Sequence, residues 1–427
     1  MKKRFWKKQN RIIFAMVLVC MSFLLYGCGE DGRMGQAVGE ANCSDDITLD
    51  YYIWSDEETY VRKVVEAWNA LQGREAVRLY VIPNGEHDDW VENYDESVGA
   101  DIVGLRGNSH VIKFQQRGHL LGLREYLKES DLDVTAYGNM YNAIKIDNEY
   151  YAIPTRSTCW VLYYNRELFD QAGIPYPEQM NWEEYEDLAL SMTKGSGDEK
   201  IWGGYFPKWI PQFCAIQKGY YLLDDDVEPV RESLELMSRL YRDSHMPYED
   251  IRLRDNDYCL DFEKGNIAMM VNGEWLANQF LEDEAEGVYV PQWGVAPVPV
   301  PQGVEAGTTV GMYQFAGITT GCSCPEEAFA FLEFSCGKQG ARIYARDAII
   351  PAYSDEEIRQ IYEEALGRES AEVFFEAKRI MEQPMWNDYD MLIEKFRSLT
   401  EEYFTGEISL DEMMENFENS REEILRR

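Results

Sequence analysis

Positive charge is what this sequence most clearly lacks. It contains 77 acidic residues against 41 lysines and arginines, which gives a net charge of −36 at pH 7. A protein of this charge repels nucleic acid and anionic lipid, so we expect neither as a direct partner. The excess of acidic residues is explained most simply by solubility. The more specific alternative is a preference for a cationic ligand.

Histidine is scarce as well, with four residues in 427, and motifs for catalysis are missing. The sequence contains no serine nucleophile elbow, no His-Glu-x-x-His motif and no phosphate-binding loop. Two carboxylates across a cleft suffice for glycoside hydrolysis, but among 77 acidic residues such pairs arise by chance. We therefore expect no enzyme activity, no cofactor and no metal.

Paired cysteine patterns are also absent. Of the nine cysteines, seven follow the N-terminal segment described below. This odd number cannot pair completely, and the spacings match neither a disulfide framework nor a zinc site. We expect buried free thiols at these seven positions: Cys43, Cys159, Cys214, Cys259, Cys322, Cys324 and Cys336.

The N-terminus has the layout of an exported lipoprotein. Six basic residues precede an apolar run, Ile12 to Tyr26, that is too short to span a bilayer comfortably. The run leads into Leu25-Tyr26-Gly27-Cys28, which resembles the lipobox in which the cysteine is acylated. We predict a signal peptide over 1–27, lipid attachment at Cys28 and a flexible tether over 28–46. The alternative is an ordinary signal peptide or anchor helix with a chance cysteine.

Beyond position 46 the hydrophobic pattern alternates between strand and helix. Strands are predicted at Ile47–Trp54, Ala76–Val81, Asp101–Leu105 and Thr158–Tyr164, and a helix after the first has the apolar stripe Val61, Val64, Val65, Trp68 and Leu71. Units of this kind argue for an α/β fold with a largely parallel sheet.

Local signals mark several turns and helix starts. Asp147-Asn148 tolerates positive φ and predicts a hairpin turn. Capping boxes are predicted at Asn181–Glu184, Ser354–Glu357 and Ser409–Glu412.

Several segments occur in one characteristic order between residue 47 and about residue 420. They are Asp101–Val103, Tyr151–Pro154 with Val161–Phe169, Ala172–Pro175 with Asn181-Trp182, Phe262–Met270 with Asn272–Trp275, Trp293–Pro299, Ala328–Phe334 and Gly406–Ser409. Together they resemble the extracytoplasmic solute-binding proteins of ABC importers, specifically the family that binds sugars and oligosaccharides. Each segment alone is a weak signal, but the ordered set behind a lipobox is specific.

This resemblance implies an α/β, two-lobed, type II periplasmic-binding-protein-like fold with hinge strands between the lobes and ligand in the inter-lobe cleft. The N-terminal lobe would comprise 47–156 plus 313–347, and the C-terminal lobe 157–312 plus 348–427. The chain would cross between lobes near 155–159, 310–315 and 348–351. Hinge closure around a solute is a recognised switching motion, and the closed form is what a permease would recognise.

Position in the predicted sheet indicates one group of ligand contacts. Open α/β sheets bind ligands outside the carboxyl ends of their strands. Trp54, Asp56 and Glu57 follow the first predicted strand at this edge, and Arg106 and Asn108 follow the third. An aromatic ring can stack on the C–H face of a sugar, while carboxylate, amide and guanidinium groups bond its hydroxyls. The alternative is a core tryptophan and a helix-capping aspartate.

The family resemblance implies a second group of contacts. Trp275 matches the family's cleft tryptophan, and Glu274 beside it could accept hydroxyls. The further members are Tyr205 and Trp209, in a loop that also holds Trp202, then Tyr313 at the second crossing and Trp386. Arg156, at the first crossing, is either a hinge ion pair or a ligand contact.

These observations predict a monomeric, lipid-anchored, extracellular substrate-binding protein of an ABC transporter. It would capture a sugar or oligosaccharide, close, and deliver it to the transmembrane permease subunits, touching the membrane through its anchor only. A binding protein for a cationic or amino-containing solute such as a polyamine is the first alternative. A surface carbohydrate-active enzyme is the second.

Overall fold

The computed structural model describes residues 47–254, 258–386 and 389–426. Cys28, Cys43, the predicted signal peptide and the predicted tether lie outside these residues. None of the helices in the described ranges is both long and apolar enough to cross a membrane.

Strands and helices alternate along much of the described chain. The strands are β1 (Leu49–Trp54), β2 (Val77–Ile82), β3 (Ile102–Arg106), β4 (Ile153–Ser157), β5 (Trp160–Asn165), β6 (Met269–Gly273), β7 (Trp293–Ala296), β8 (Thr308–Gly311), β9 (Tyr313–Ile318) and β10 (Lys378–Met381). The α-helices span Glu58–Gln72, Asn84–Glu92, Gly107–Gln116, Arg124–Glu129, Arg166–Ala172, Trp182–Met192, Phe213–Gln217, Glu228–Asp243, Tyr248–Arg252, Tyr258–Glu263, Trp275–Glu286, Pro325–Cys336, Lys338–Arg346, Glu356–Leu366, Val373–Glu376, Tyr389–Phe404 and Leu410–Leu425. Short 3-10 helices span Ser55–Glu57, Glu96–Val98, Val134–Tyr137, Asn139–Ile144 and Gly197–Glu199.

Two main sheets organise the fold. The first has the strand order β2-β1-β3-β9-β4, and the second has the order β6-β5-β7, with β10 paired to β8 beside them. The expectation of a largely parallel sheet is only half right. β2, β1 and β3 are parallel, whereas β9 runs antiparallel to β3 and β4, and the second sheet is antiparallel throughout. The reason is that β9 enters the first sheet directly from β8 and so runs back against β3.

The chain passes between the region built on the first sheet and the region built on the second sheet through very short links. Thr158 and Cys159 join β4 to β5, and Met312 alone joins β8 to β9. The two links are bonded to each other: the Thr158 N–H donates to the Met312 carbonyl, and the Met312 N–H donates to the Thr158 hydroxyl, both at 2.8 Å. Ile350 accepts a third bond from the Ser157 N–H. These links fall in the segments predicted as crossings, while the exact lobe boundaries stay a prediction.

Most local predictions hold. Both halves of the Asn181–Glu184 capping box are formed, and Asp147 and Asn148 have φ of 50° and 61° in a tight turn. The helix after Ser354 begins one residue later than predicted, because Asp355 rather than Ser354 accepts the bond from the Ile358 N–H.

Two further local results involve a helix start and a helix stripe. Ser409 caps the last helix by accepting from the Glu412 N–H. On the first helix Val61, Val64 and Val65 are buried, but Leu71, in the last turn, is 68% exposed and is not part of the buried stripe.

The cysteines are mostly buried free thiols, as predicted. Cys159, Cys214, Cys322 and Cys336 are buried, Cys259 is partly buried, and all five are free. Burial raises the pKa of Cys159 to about 11 and that of Cys336 to about 12. Cys324 corrects the prediction, because it is disulfide-bonded. An odd count excludes complete pairing but does not exclude one pair.

Candidate functional site

A cavity of about 930 Å³ opens at the carboxyl ends of β1 and β3. Its other sides are formed by residues of β4, β5 and β9 and of the helices Tyr258–Glu263, Trp275–Glu286 and Tyr389–Phe404. Small-molecule sites occupy about 300–1,000 Å³, so this cavity is large for one. Its surface has three parts of different chemistry: a charged wall, an aromatic wall and a polar floor.

The first part, which we call the ionic wall, consists of Asp56, Asp88, Arg106, His110 and Lys113. Arg106 ends β3, and the helix that starts after it brings His110 and Lys113 to the same edge. Side chains at the ends of neighbouring parallel strands converge at one edge of a sheet, and this is why residues so far apart in sequence meet here.

Hydrogen bonds fix the ionic wall in one arrangement. The Arg106 guanidinium donates to Asp88 Oδ1 at 2.5 Å and to Asn84 Oδ1 at 2.7 Å. The Arg106 backbone N–H donates to His110 Nδ1 at 3.2 Å, so the neutral ring carries its proton on Nε2 and donates to Asp88 at 3.0 Å. The bonds from His110 and Arg106 hold the pKa of Asp88 well below its usual range.

Two groups of the ionic wall, Asp88 and His110, form with His87 a cluster that has the spacing of a metal site but not its chemistry. Ligand atoms of His87, Asp88 and His110 lie within 4.8 Å of one another. However, His110 Nε2 is needed as a proton donor, and the Arg106 cation already pairs with Asp88. A metal would have to displace both, so the cluster is better suited to hydrogen-bonding a polar ligand.

A second cluster, Cys259 with Glu263 and Asp283, lies beside the cavity and also has metal-site spacing. The Cys259 thiol donates to Glu263 at 3.2 Å. Burial, followed by the neighbouring carboxylates, raises the pKa of Cys259 well above its usual range. The thiolate that binds metal is therefore disfavoured here.

The second part of the cavity, the aromatic wall, consists of Trp160, Trp209, Tyr258 and Trp275. Trp275 meets Trp160 edge-on with ring centroids 5.5 Å apart, and its indole N–H donates to the Tyr258 hydroxyl at 3.0 Å. Trp209 contacts both Trp160 and Tyr258. Each ring is thus oriented by another ring. Trp160 is 1% exposed and serves as packing, so the preformed stacking surface is provided by the partly buried rings of Trp209, Tyr258 and Trp275.

Two charged groups that also line the cavity are bonded to the aromatic wall. Glu382 accepts the Trp160 indole N–H at 3.2 Å, and burial raises the pKa of this carboxyl. Arg397 donates to the Trp209 carbonyl at 2.9 Å, and burial lowers the pKa of its guanidinium.

The third part, the floor, consists of Arg156, Thr158 and Gln314 from the strands and links between the two sheets. Arg156 is buried and donates to Glu57 at 2.8 Å and to Glu274 at 2.6 Å. Burial opposes its charge, but Tyr60, Glu57 and Glu274 together raise the pKa of Arg156 well above its usual range. This buried triad joins the start of the ionic wall to the helix that carries Trp275.

The structure brings six of the sequence-predicted site residues to the cavity: Trp54, Asp56, Glu57, Arg106, Trp209 and Trp275. Glu57 contributes mainly through its bond to Arg156, since it is 4% exposed. Whether each of these residues touches a ligand stays a prediction.

Three others are placed in packing or bonding roles and do not line the cavity. Asn108 is buried and donates to the Gln383 carbonyl at 2.6 Å. Tyr205 is buried in a bridge to β6. Glu274 is 1% exposed, because both its oxygens are used, one by Arg156 and one by the Cys159 N–H.

The remaining two lie on other faces. Tyr313 is on β9 next to Gln314, and successive strand residues point to opposite faces. Its hydroxyl therefore donates to the Tyr137 carbonyl behind the sheet, while Gln314 lines the cavity. Trp386 packs against the core of the two C-terminal helices.

Sequence reasoning missed several cavity residues, chiefly Asp88, His110, Trp160, Tyr258 and Gln314. Trp160 stands within a strand predicted correctly, and its alternation with Val161 is the signal that could have assigned it to one face. The other four depend on contacts between distant segments.

Comparisons with known proteins show the family and the fold of this chain. The family of bacterial extracellular solute-binding proteins matches residues 54–341. An arabinooligosaccharide-binding protein of Halalkalibacterium halodurans is 26% identical over 153 residues, which is 34% of this chain and 34% of that protein. The chain thus spans about a third of the length of this curated relative.

Solved structures share the fold over nearly the whole chain. A sugar transporter from Rhizobium etli in an open conformation has a TM-score of 0.77 at 22% identity, covering 88% of this chain and 99% of that one. An ABC substrate-binding protein from Listeria monocytogenes in complex with cycloalternan has a TM-score of 0.74 at 21% identity, covering 89% and 98%. The predicted two-lobed α/β fold is confirmed, and the chain belongs to the family of bacterial extracellular solute-binding proteins.

Proposed function

We propose that this protein is the sugar-binding component of an ABC importer. It captures an oligosaccharide in the cavity, closes around it and delivers it to the permease. The observation that carries this proposal is the pairing of an aromatic wall with a wall of fixed donors and acceptors across one cavity.

The two walls suit the two surfaces of a sugar. The C–H faces of a pyranose or furanose ring stack on aromatic rings, and the hydroxyls around the ring need donors and acceptors in fixed geometry. The size of the cavity favours several sugar units over one. Two similar proteins bind an arabinooligosaccharide and cycloalternan by name, and this supports a saccharide ligand.

The family places the protein outside the cytoplasm. Anchoring through an acylated Cys28 is part of our proposal, as are a monomeric state and binding without chemistry. In support of the last point, three cavity carboxylates are already engaged by cations: Glu57 by Arg156, Asp88 by Arg106 and Asp390 by Lys113.

A cationic solute is the second candidate. Carboxylates outnumber cations on the cavity surface, and Asp56, Glu282 and Glu394 are among them. A polyamine or an amino sugar would be attracted to such a surface.

Isothermal titration calorimetry against monosaccharides, oligosaccharides and a polyamine separates these candidates, together with an assay for released reducing ends. We expect heat with an oligosaccharide and no turnover. Release of reducing ends would contradict the proposal. Tight binding of the polyamine, with no heat of binding for any sugar, would favour the second candidate.

A further inference from the structure

Cys324 is disulfide-bonded, and its partner can be found by elimination. The residue is buried, and the five other cysteines in the described ranges are free thiols. The chain contains nine cysteines. The partner is therefore one of the three that lie outside the described residues, which are Cys20, Cys28 and Cys43.

The proposed function removes two of these three. Cys20 lies in the predicted signal peptide, which is absent from the mature protein. Cys28 is the proposed site of lipid attachment, so its sulfur is bonded to lipid and has no thiol left to oxidise. Cys43 remains. The choice of Cys43 therefore rests on the proposed function, whereas the existence of the bond does not.

Cys324 lies at the edge of the first sheet where the described chain begins. The Asp101 N–H donates to the Asp50 carbonyl, and the Thr319 N–H donates to the Asp101 carbonyl, both at 3.0 Å. The Cys322 N–H donates to the Thr319 carbonyl at 3.1 Å, and Cys324 follows two residues later. Three consecutive hydrogen bonds thus connect the start of β1 to the segment that contains Cys324.

Cys43 is close to the same edge along the chain. It precedes Ile47, the first described residue, by four positions, and four residues span at most about 14 Å. The Cα atoms of a disulfide are usually about 4.4–6.8 Å apart. The short connection to Ile47 therefore keeps Cys43 beside the edge that carries Cys324.

We propose that Cys43 and Cys324 form a disulfide that fastens the segment behind the lipid anchor to the first sheet. The two thiols lose two electrons and two protons when the bond forms. A thiol–disulfide oxidoreductase outside the cytoplasm accepts them, and its own disulfide becomes a dithiol. Only residues 29–42 then separate the lipid from the fastening point, so that point lies at most about 50 Å from the anchor.

The neighbouring thiol of Cys322 does not compete for this bond. Burial, followed by the charge of Asp101, raises the pKa of Cys322 to about 12. The thiolate is the form that attacks a disulfide, so a thiol with this pKa exchanges slowly.

The bond is also separated from the ligand cavity. The cavity opens at the carboxyl ends of β1 and β3, whereas Asp50 and Asp101 lie at the amino ends of these strands. We therefore expect the bond to fix the anchor segment without affecting the affinity for sugar.

The test identifies the linked peptides and counts the free thiols. The full chain is exported by a bacterial host that attaches lipid, alkylated under denaturing conditions and digested without reduction. Tandem mass spectrometry should find one linked pair, Cys43 with Cys324, which reduction abolishes. Alkylation should mark the five free cysteines and no others in the wild type.

Cys43→Ser and the matched control Cys322→Ser sharpen the test. Cys43→Ser releases Cys324, so alkylation should mark Cys324 in addition to the five. Cys322→Ser removes a free thiol two residues from the bond, so one mark should disappear and the linked pair should remain. Both variants should bind the sugar as the wild type does.

Alkylated Cys43 in the wild type, or a link from Cys324 to any other cysteine, would overturn the proposed bond. Alkylated Cys28 with the link between Cys43 and Cys324 intact would overturn the lipid anchor alone. A link between Cys28 and Cys324 would overturn both. The two failures are therefore distinguished by which cysteine is alkylated.

Discussion

The two walls of the cavity are built on opposite principles. The ionic wall is held by charge-assisted hydrogen bonds centred on Asp88, whereas the rings of the aromatic wall orient one another. Directional bonds fix where a hydroxyl is accepted, and ring faces supply contact area that tolerates small shifts. Under the proposed function, we expect the ionic wall to determine which sugar fits and the aromatic wall to determine how tightly it binds.

The largest effect is expected from removing Arg156, the residue that joins the two walls. Arg156→Met leaves Glu57 and Glu274 buried without a cation, which should cost about 3–5 kcal/mol in the free energy of unfolding. Urea unfolding measures the loss. The triple variant Arg156→Met, Glu57→Met, Glu274→Met should recover most of it, and failure to recover would show that the triad does more than balance charge.

Removing a ring from the aromatic wall should weaken binding without unfolding the protein. Trp275→Ala should lower sugar affinity by about 2–3 kcal/mol, or about a hundredfold, because a central stacking surface is lost. The melting temperature of the free protein should barely change, since Trp275 is only partly buried. Trp202→Ala, whose ring is covered by Lys200 away from the cavity, is the control. A large drop in melting temperature would instead identify Trp275 as a core residue.

A change on the ionic wall should have a smaller effect that differs between sugars. Arg106→Gln should lower affinity by about 1.4 kcal/mol, or about tenfold, for the preferred sugar and by less for its epimers. The free energy of unfolding should stay close to that of the wild type, because Asp88, the ion-pair partner of Arg106, is exposed. Calorimetry with an epimer series checks this. Equal losses of affinity for all epimers would contradict the expectation that the ionic wall determines which sugar is selected.

A further effect concerns acid and the packing around His87, beside the ionic wall. His87 is fully buried between Trp54 and Trp90, and burial, followed by His110, lowers its pKa to about 3. Unfolding restores its ordinary pKa of about 6.5, so the unfolded chain binds an extra proton below that value. This contribution to stability is complete above pH 6.5 and is lost as the pH falls from 6.5 toward 3.

In His87→Phe the free energy of unfolding should therefore decrease less steeply than in the wild type as the pH falls below 6.5. The difference in slope should be up to about 1.4 kcal/mol per pH unit. Urea unfolding at pH 7 and pH 5 measures it. An unchanged pH dependence would show that His87 is charged in the folded protein.

Site residues whose position follows from the order of the strands were predicted correctly from the sequence. Residues whose position depends on which face of a strand or helix they occupy were not. Trp54 and Arg106 lie at the cavity because strand ends share one edge, a rule that needs no side-chain detail. Tyr313 and Gln314 are neighbours on β9, so placing a crossing at this position could not say which of the two faces the ligand. Asp88 and His110 lie 22 residues apart and meet only once two helices are packed.

The link at Met312 has a consequence for how the cavity can open. One residue offers two soft backbone dihedrals, and here its N–H and carbonyl are both bonded to Thr158 of the second link. These bonds hold the two links side by side, so they oppose sliding of the two regions and favour rotation at the links. Under the proposed function, the width of the cavity would then depend on the angle of that rotation, and a bound ligand would set both.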